Sequence, residues 1–460
     1  MSRRVAISRF IVTFGVAFLL GVRVVPADDF SFDFDDMFDD DMIEDIDDTD
    51  DRPYTDVFLD ATGISFGGRF SSSLRAVVRW PEYPDSIQSL RNDGEDSLSA
   101  SIDGTLFFDA RPNRDFRVYG SAQTAYPFTQ TTRIRDGDGS TTTTIRVPNI
   151  SVFELFSDFS WSEYAFFRAG KQTVSWGTGY FYSPADVLSL SPIDPEDPES
   201  SREGPISIRV RVPIDIHQFT FYLVAPDSLV ETPNPSITDL AIGPRFEFVV
   251  GPGELGIAGF LQQDLAPRAI VTGSFSWRDF DGFGEAVLRY GSERTFLAES
   301  GDETFRRDDG VYFDGTLGVR YVKNDVSFIG QVLYNGDGYD VPEILGLLRF
   351  AFRLQQESSP SAPTGPTLTL DDLTRTGRWY ATVSAGHADA FGTDIGVSAL
   401  LQANFSDGSG IVGVTVSRRL FTGLSVSATA NVAYGEDQRE FTQIGRFGLS
   451  IGAQFGTTRF

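Results

Sequence analysis

The chain of 460 residues contains no cysteine, so disulfides, a lipid-modified cysteine and cysteine-based metal sites are excluded. Lysine occurs only at Lys171 and Lys323, and the two histidines are His217 and His387. Neither histidine belongs to a His-Glu-x-x-His pair, which would be typical of one class of zinc site. We therefore expect no metal and no other cofactor.

The sequence offers little support for catalysis. Ser384, His387 and Asp389 lie close together, but Ser384 and His387 would face opposite sides of one strand. This placement separates a nucleophile from its base. The runs Asp136 to Gly139 and Asn335 to Gly338 have the early spacing of a calcium loop but lack its later bidentate acid, so ordinary turns explain them. We predict that the protein is not an enzyme.

Long apolar runs are also scarce, because no stretch after residue 27 approaches the 20 or so apolar residues of a membrane-spanning helix. At the N-terminus, three arginines precede an apolar run from Phe10 to Val22. Val25 to Ala27 then place small or modest side chains at the usual cleavage positions. This order predicts a signal peptide over residues 1–27 that is removed by cleavage after Ala27.

Negative charge dominates the chain, with a formal net charge of −27. Residues 28–51 hold 14 acids and no base, interleaved with aromatic and aliphatic side chains, and are too charged to form a core. We interpret them as an acidic, disordered periplasmic segment. A contact segment for a periplasmic partner, a plug for a lumen and a divalent-cation buffer are alternatives. The overall acidity argues against nucleic acid as a partner.

From about residue 60 the hydrophobic pattern has a period of two, as in residues 424–434, where apolar side chains alternate with Ser, Thr and Asn. Such strands are long for a soluble sandwich, the alternative fold, but fit a tilted membrane strand of about 9 to 11 residues. Aromatic side chains gather at predicted strand ends, where a membrane interface would place them: Tyr126, Trp161, Trp176, Trp277, Tyr290, Tyr334, Trp379 and Tyr434. Residues 52–460 are therefore predicted to form an antiparallel transmembrane β-barrel.

The spacing of the connections predicts about 18 strands, with 16 as the alternative. Short turns alternate with longer loops, which is typical of outer-membrane barrels with periplasmic turns and extracellular loops. An even strand number places both termini in the periplasm. Residues 344–354 disturb this order as a strand, so we predict a helix or folded piece there, inside one loop over about 335–376.

Two segments resemble known bacterial barrels. Residues 447–455, ending in Phe455 and followed by the terminal Phe460, resemble the C-terminal assembly signal of outer-membrane proteins. The run RAGKQTVSWGTGYFYSPADVLSLS, residues 168–191, is similar to the G-[RK]-Q…W-G…P-x-D-V-L run of several large gram-negative barrel families of porin or export type. The resemblance implies a bacterial outer-membrane location, contact with its lipid and recognition by the barrel-assembly machinery. It does not assign a subfamily.

The second segment also has a physical interpretation. A strand ending at Trp176 would deliver that ring to the membrane interface, and Gly177 and Gly179 would release the backbone into a turn. The proline-rich residues 184–205 would then form a stiff loop. This loop either folds inward and narrows a pore or lies outward on the surface, and it carries the candidate constriction residues Trp176, Asp186 and Asp194.

Strand parity assigns charged side chains to the lumen, because a charge on the lipid face costs about 2 to 4 kcal/mol near the midplane. The candidates are Arg117, Arg209, Arg211, Arg278, Arg289, Arg320, Asp103, Glu154, Asp158, Glu285 and Asp314. They would form either an electrostatic filter or mutually neutralising ion pairs. Glu154 and Asp158 are the carboxylates predicted to neutralise Arg209 and Arg211.

Two classes of function remain. One is a porin-like channel for small solutes of unknown identity; the other is a surface protein, an adhesin or a structural anchor, that acts through its extracellular loops. Most predicted loops have only about 10 to 30 residues, which is small for independent adhesion domains. We therefore favour transport.

Overall fold

The computed structural model describes residues 63–457, except 114, 136–141, 226–235, 264, 341–342, 345, 348, 351–362, 370–371, 373–374, 438 and 444. The predicted signal peptide, residues 1–27, and the acidic segment, residues 28–51, lie outside the described residues. So do Phe460 and the run from Asp136 to Gly139.

Strands dominate the described chain, as the period of two predicts. The strands are β1 (Ile64–Trp80), β2 (Glu95–Asn113), β3 (Phe116–Arg135), β4 (Thr142–Trp161), β5 (Ala165–Lys171), β6 (Ile206–Ile214), β7 (His217–Ala225), β8 (Ala241–Val250), β9 (Gly253–Phe260), β10 (Arg268–Trp277), β11 (Phe280–Tyr290), β12 (Thr295–Leu297), β13 (Thr304–Arg306), β14 (Val311–Lys323), β15 (Val326–Tyr334), β16 (Trp379–His387), β17 (Ile395–Asn404), β18 (Ser409–Phe421), β19 (Leu424–Tyr434) and β20 (Phe447–Thr457). A short helix, α1 (Ile87–Asn92), follows β1 and begins with Ser86 as its N-cap. Three-residue 3-10 turns span Ile237–Asp239, Ala390–Gly392 and Glu440–Thr442.

All strands except β12 and β13 form one antiparallel sheet of 18 strands. Its closure depends on β20, in which Phe455 lies opposite Leu424 of β19 on one side and opposite Ser72 of β1 on the other. Because β1 also pairs with β2, the sheet has no free edge. The structure is thus a closed antiparallel barrel of 18 strands rather than 16. Closure satisfies the backbone hydrogen bonds between strands, as a lipid environment demands.

Side chains alternate between the two faces of the barrel wall. In β14, Leu317 is 69% exposed on the outside, whereas the preceding Thr316 is buried on the inside. Exposed aromatic rings lie at strand ends on the outer surface: Trp161, Trp277, Tyr290, Trp379 and Tyr434. Tyr334 joins this set through its ring contact with Trp379, at 4.7 Å between centroids. The predicted placement of aromatics at strand ends is confirmed for these six residues, whereas Tyr126 is exposed in the middle of β3.

One end of the barrel carries tight turns and the other carries long loops; we call them the short-turn end and the long-loop end. Asp215, Arg278 and Asn324 adopt positive φ angles in the tight turns. The prediction that Arg278 lines the lumen is wrong, because this residue follows the last residue of β10. Its guanidinium instead lies over the ring of the outward-facing Trp277, 5.1 Å from the centroid.

Two loops at the long-loop end pack together. The described parts of residues 291–310 and 335–378 share a buried apolar cluster, and we call them the loop unit. The cluster comprises Phe296, Leu297, Tyr339, Leu347 and Phe350. The hairpin of β12 and β13 belongs to this unit. Elsewhere in the unit, the backbone is helical at positions 343, 344, 346, 347, 349 and 350, in agreement with the predicted helix, while residues 345, 348 and 351–354 of that prediction lie outside the described residues. Within the described residues, no helix is long and apolar enough to cross a membrane.

Candidate functional site: a loop folded into the barrel lumen

The loop between β5 and β6, residues 172–205, is called the inner loop because it enters the barrel. Strand β5 ends at Lys171, and Trp176 is 1% exposed. Its ring lies 5.6 Å from that of Tyr222 and belongs to a buried cluster with Ile270 and Val287. These three partners face inward from β7, β10 and β11. The predicted position of Trp176 at a membrane interface is therefore wrong, because inward-facing apolar side chains bury its ring inside the barrel.

A glycine in the wall provides the space for this ring. A Cβ atom on Gly243 of β8 would lie 2.5 Å from Cη2 of Trp176, closer than carbon atoms can approach. The inner wall is thus shaped for the tryptophan.

The inner loop has a second apolar contact on another part of the wall. Phe181 and Tyr182 are fully buried in a cluster with Ile329 of β15 and Tyr380 of β16. The hydroxyl of Tyr182 also lies 2.7 Å from that of Thr382. Of the two placements that the sequence left open, the structure therefore has the inward one.

Polar contacts fix the same stretch of backbone. The carboxylate of Glu285 accepts hydrogen bonds from the amides of Thr178 and Gly179, both at 2.7 Å, and of Ala185 at 2.9 Å. The side-chain oxygen of Gln331 accepts one from the amide of Phe181 at 2.7 Å. Glu285 thus faces inward as predicted, but it contacts the loop rather than an open pore.

The predicted constriction residues all lie in the inner loop, with different roles. Asp186 connects the beginning and the end of the inner loop. Its carboxylate accepts a hydrogen bond from the amide of Trp176 at 3.2 Å and forms an ion pair with Arg202 at 2.5 Å. Asp194 lies farther along the loop, where its carboxylate accepts from the amide of Glu196 at 2.9 Å. Asp186 is therefore structural, while Asp194 is only partly buried.

Several lumen arginines are neutralised by carboxylates. Asp158 accepts two hydrogen bonds from Arg168, at 2.6 and 3.0 Å, and lies 3.6 Å from Arg117. Arg117 also pairs with Asp109 at 2.8 Å. The guanidinium of Arg168 lies 3.9 Å from the centroid of the Phe156 ring, a cation–π contact. This part of the wall matches the ion-pair interpretation.

Arg209 and Arg211 differ from these arginines. Arg209 lies opposite Arg168 in the sheet register, and Arg211 is exposed on the inner face. The prediction that Glu154 and Asp158 neutralise Arg209 and Arg211 is wrong. Asp158 binds Arg168 instead, and Glu154 accepts a hydrogen bond from the amide of Thr173 at 3.1 Å. Within the described part of the chain, neither arginine forms an ion pair, although Arg209 hydrogen-bonds Tyr222.

The remaining candidates also have inward register positions. Arg289 binds Asp314 at 2.8 Å, and Arg320 of β14 lies opposite Asp281 of β11. Asp103 of β2 is exposed on the inner face. The wall therefore combines neutralised pairs with arginines that keep their charge toward the lumen.

Sequence reasoning missed Gln331 and the apolar surfaces that receive the inner loop. A signal was present, because Ile270, Val287 and Ile329 occupy inward positions that a water-filled lumen would give to polar residues. Ser384 faces inward and His387 outward on β16, as predicted, which keeps them apart.

No protein-family model and no curated protein matches the sequence. The fold is similar to Acinetobacter baumannii OccAB4, with a TM-score of 0.46, 10% identity, and 86% of this chain and 98% of that chain covered. For OccAB1 of the same organism the TM-score is 0.44 and the identity is 12%, with 86% of this chain and 97% of that chain covered. The fold is also similar to Salmonella typhi OmpF, with a TM-score of 0.41, 8% identity, and 86% of this chain and 98% of that chain covered.

Proposed function

We propose that the protein is a porin-like channel of the bacterial outer membrane that passes small polar solutes beside its inner loop. The observation that carries this proposal is a barrel whose lumen is crossed by a loop packed on its inner wall, while Arg211 and Asp103 stay exposed on that wall. The apolar outer face is suited to contact with lipid. No catalytic role is proposed.

The short-turn end is proposed to face the periplasm, with both termini there, and insertion to depend on the barrel-assembly machinery. Phe455 and Phe460 are the proposed assembly residues. Removal of residues 1–27 would leave a mature chain that starts with the acidic segment, which is open to a periplasmic partner. Mass spectrometry of the N-terminus from isolated outer membranes tests this arrangement. An intact Met1 on a cytoplasmic protein would contradict it.

The lumen is proposed to select by charge. Arg209 and Arg211 lie two residues apart on one face of β6, and guanidinium groups keep their charge at all relevant pH values. A wall of this kind favours small anions over cations.

Conductance in planar bilayers, with a panel of neutral, anionic and cationic solutes, tests the channel directly. Discrete conductance steps with a reversal potential on the anion side are expected. A purified, heat-modifiable barrel that gives no conductance with any solute would refute the proposal.

A surface protein that acts through its loops is the second candidate, favoured by the apolar cluster of the loop unit. Replacing residues 293–308 by a short Gly/Ser linker distinguishes the two. Loss of cell-surface binding with unchanged conductance would support the surface role.

A further inference from the structure

One turn of the inner loop wraps around two side chains of the barrel wall. The carboxylate of Glu285 in β11 accepts hydrogen bonds from the amides of residues 178, 179 and 185. It also accepts one from the hydroxyl of Ser183 at 2.9 Å. The side-chain oxygen of Gln331 in β15 accepts hydrogen bonds from the amides of residues 180 and 181. Its side-chain nitrogen donates to the carbonyl of Tyr182 at 2.6 Å. Consecutive backbone amides therefore converge on the two wall side chains.

A concave run of amides of this kind is an anion-binding arrangement. Here a carboxylate of the chain itself occupies it, and Glu285 is buried, with 5% of its surface exposed. A buried carboxylate is unfavourable unless hydrogen bonds replace its hydration. The donors from residues 178–185 supply those bonds, so the loop turn and the carboxylate stabilise each other.

The glycines of the Trp-Gly-Thr-Gly run are required by this geometry. A Cβ atom on Gly177 would lie 2.6 Å from Oε1 of Glu285, and one on Gly179 would lie 1.9 Å from the carbonyl oxygen of Tyr182. Both approaches are too close for any side chain.

Gln331 is itself held by the wall, since its side-chain nitrogen also donates to the hydroxyl of Thr316 at 2.6 Å. Thr316 belongs to β14, the strand between those of Glu285 and Gln331. The two side chains are thus fixed relative to each other by neighbouring strands. They receive the loop on a rigid surface.

We propose that Glu285, assisted by Gln331, is the positioning residue that holds the inner loop across the lumen and thereby sets the width of the pore. We call the contacts of Glu285 and Gln331 with residues 178–185 the clamp. The effect of the clamp on pore width rests on the proposed channel function, but the clamp itself can be tested without conductance. Loss of the carboxylate leaves the amides of residues 178, 179 and 185 without their acceptor, so the turn is expected to move toward water.

Thiol labelling tests the clamp independently of transport, because the chain has no other cysteine. Ala185 is fully buried, and its amide binds Glu285. In the folded barrel, Ala185→Cys should react slowly with a maleimide, and adding Glu285→Ala should speed the reaction about tenfold or more by raising the open population. Asp281→Ala is the matched control, since Asp281 lies on the same face of β11 and contacts Ser276 instead of the loop.

Conductance tests the consequence. Glu285→Ala is expected to raise the single-channel conductance and the size limit for neutral solutes, while Glu285→Gln, which keeps one acceptor oxygen, should change both less. Formate can occupy the vacated carboxylate position, so it should restore the narrower pore of Glu285→Ala, whereas neutral formamide should not. Heat-modifiable migration should be the same in all these variants.

The outcomes separate the two hypotheses. If the wild-type barrel never conducts but Glu285→Ala speeds labelling, the channel proposal fails and the clamp stands. If the wild type conducts while Glu285→Ala changes neither labelling nor the size limit, the clamp is wrong. Equal effects of Glu285→Ala and Asp281→Ala on the size limit would likewise overturn it, by showing an effect of charge alone.

Discussion

The guanidinium of Arg289 lies 3.0 Å from the carboxylate of Asp337, which joins the barrel wall to the loop unit. Arg289 also binds Asp314 of the neighbouring strand, and the hydroxyl of Ser292 donates to Asp337 at 2.7 Å. Burial by itself raises the pKa of Asp337, but the charges of Arg289 and Arg294 outweigh it and lower the pKa below its ordinary value.

This lowered pKa predicts that acid loosens the loop unit. A folded-state pKa below the unfolded one stabilises the unit at pH values above about 4, and the stabilisation is lost as the pH falls through the folded-state pKa. Pepsin cleavage within residues 291–310, followed between pH 5 and pH 2, should therefore accelerate toward low pH. Asp337→Asn should be cleaved quickly throughout. The exposed Asp309→Asn is the control and should keep the wild-type profile.

The second prediction concerns Arg209 and Arg211, which form no ion pair among the described residues. Changing both to Ser should move the reversal potential under a salt gradient toward cation preference, because a fixed positive potential is removed from the lumen. Folding should be retained. Arg111→Ser with Lys323→Ser removes the same formal charge at the short-turn end, from residues paired with Asp109 and Asp279. An equal shift in both double variants would deny any special role to Arg209 and Arg211.

The third prediction is that Gly243→Ala displaces Trp176. The new Cβ would overlap the indole ring, and such overpacking costs about 1 to 3 kcal/mol. A lower temperature of heat modification and a noisier, larger conductance are expected. In Gly259→Ala the nearest atoms would lie 3.9 to 4.0 Å away, so this variant should behave as the wild type. Unchanged conductance of Gly243→Ala would mean that the tryptophan does not limit the pore.

The fourth prediction is that deletion of Ile444 to Phe460 prevents membrane insertion. The deletion removes β20, which pairs with both β19 and β1. Two open edges would then expose backbone groups that lipid cannot satisfy. The absence of a compact, heat-modifiable species on gels is the expected result. A truncated chain that still migrates as a protease-resistant barrel would show that the sheet closes in another way.

The strands were predictable because the inside and outside of a membrane barrel impose a strict period of two. The alternating pattern over residues 424–434 spans the same residues as β19. Shorter elements escaped this pattern: β12 and β13 have three residues each, too few to show a period. Helix α1 depends on a Ser86 cap that is common in ordinary turns.

The inward path of the inner loop could not be derived from its own residues. Trp176 suits a membrane interface as well as a buried cluster, and what decides between them is a set of distant wall positions, among them Gly243 and Val287. The partners of Arg209 were misjudged for a similar reason. Parity gives the face on which Asp158 lies, but not that Arg168 on β5 binds it first.

The contacts of the inner loop have a consequence for the order in which the molecule assembles. Thr178 binds Glu285 across 107 residues, and Tyr182 meets Thr382 across 200. Contacts between residues so far apart along a chain form slowly, because the intervening segments must first be arranged. The inner loop therefore emerges early in synthesis yet completes its contacts only after β16 has joined the growing sheet. We therefore expect docking of the inner loop among the late steps of folding.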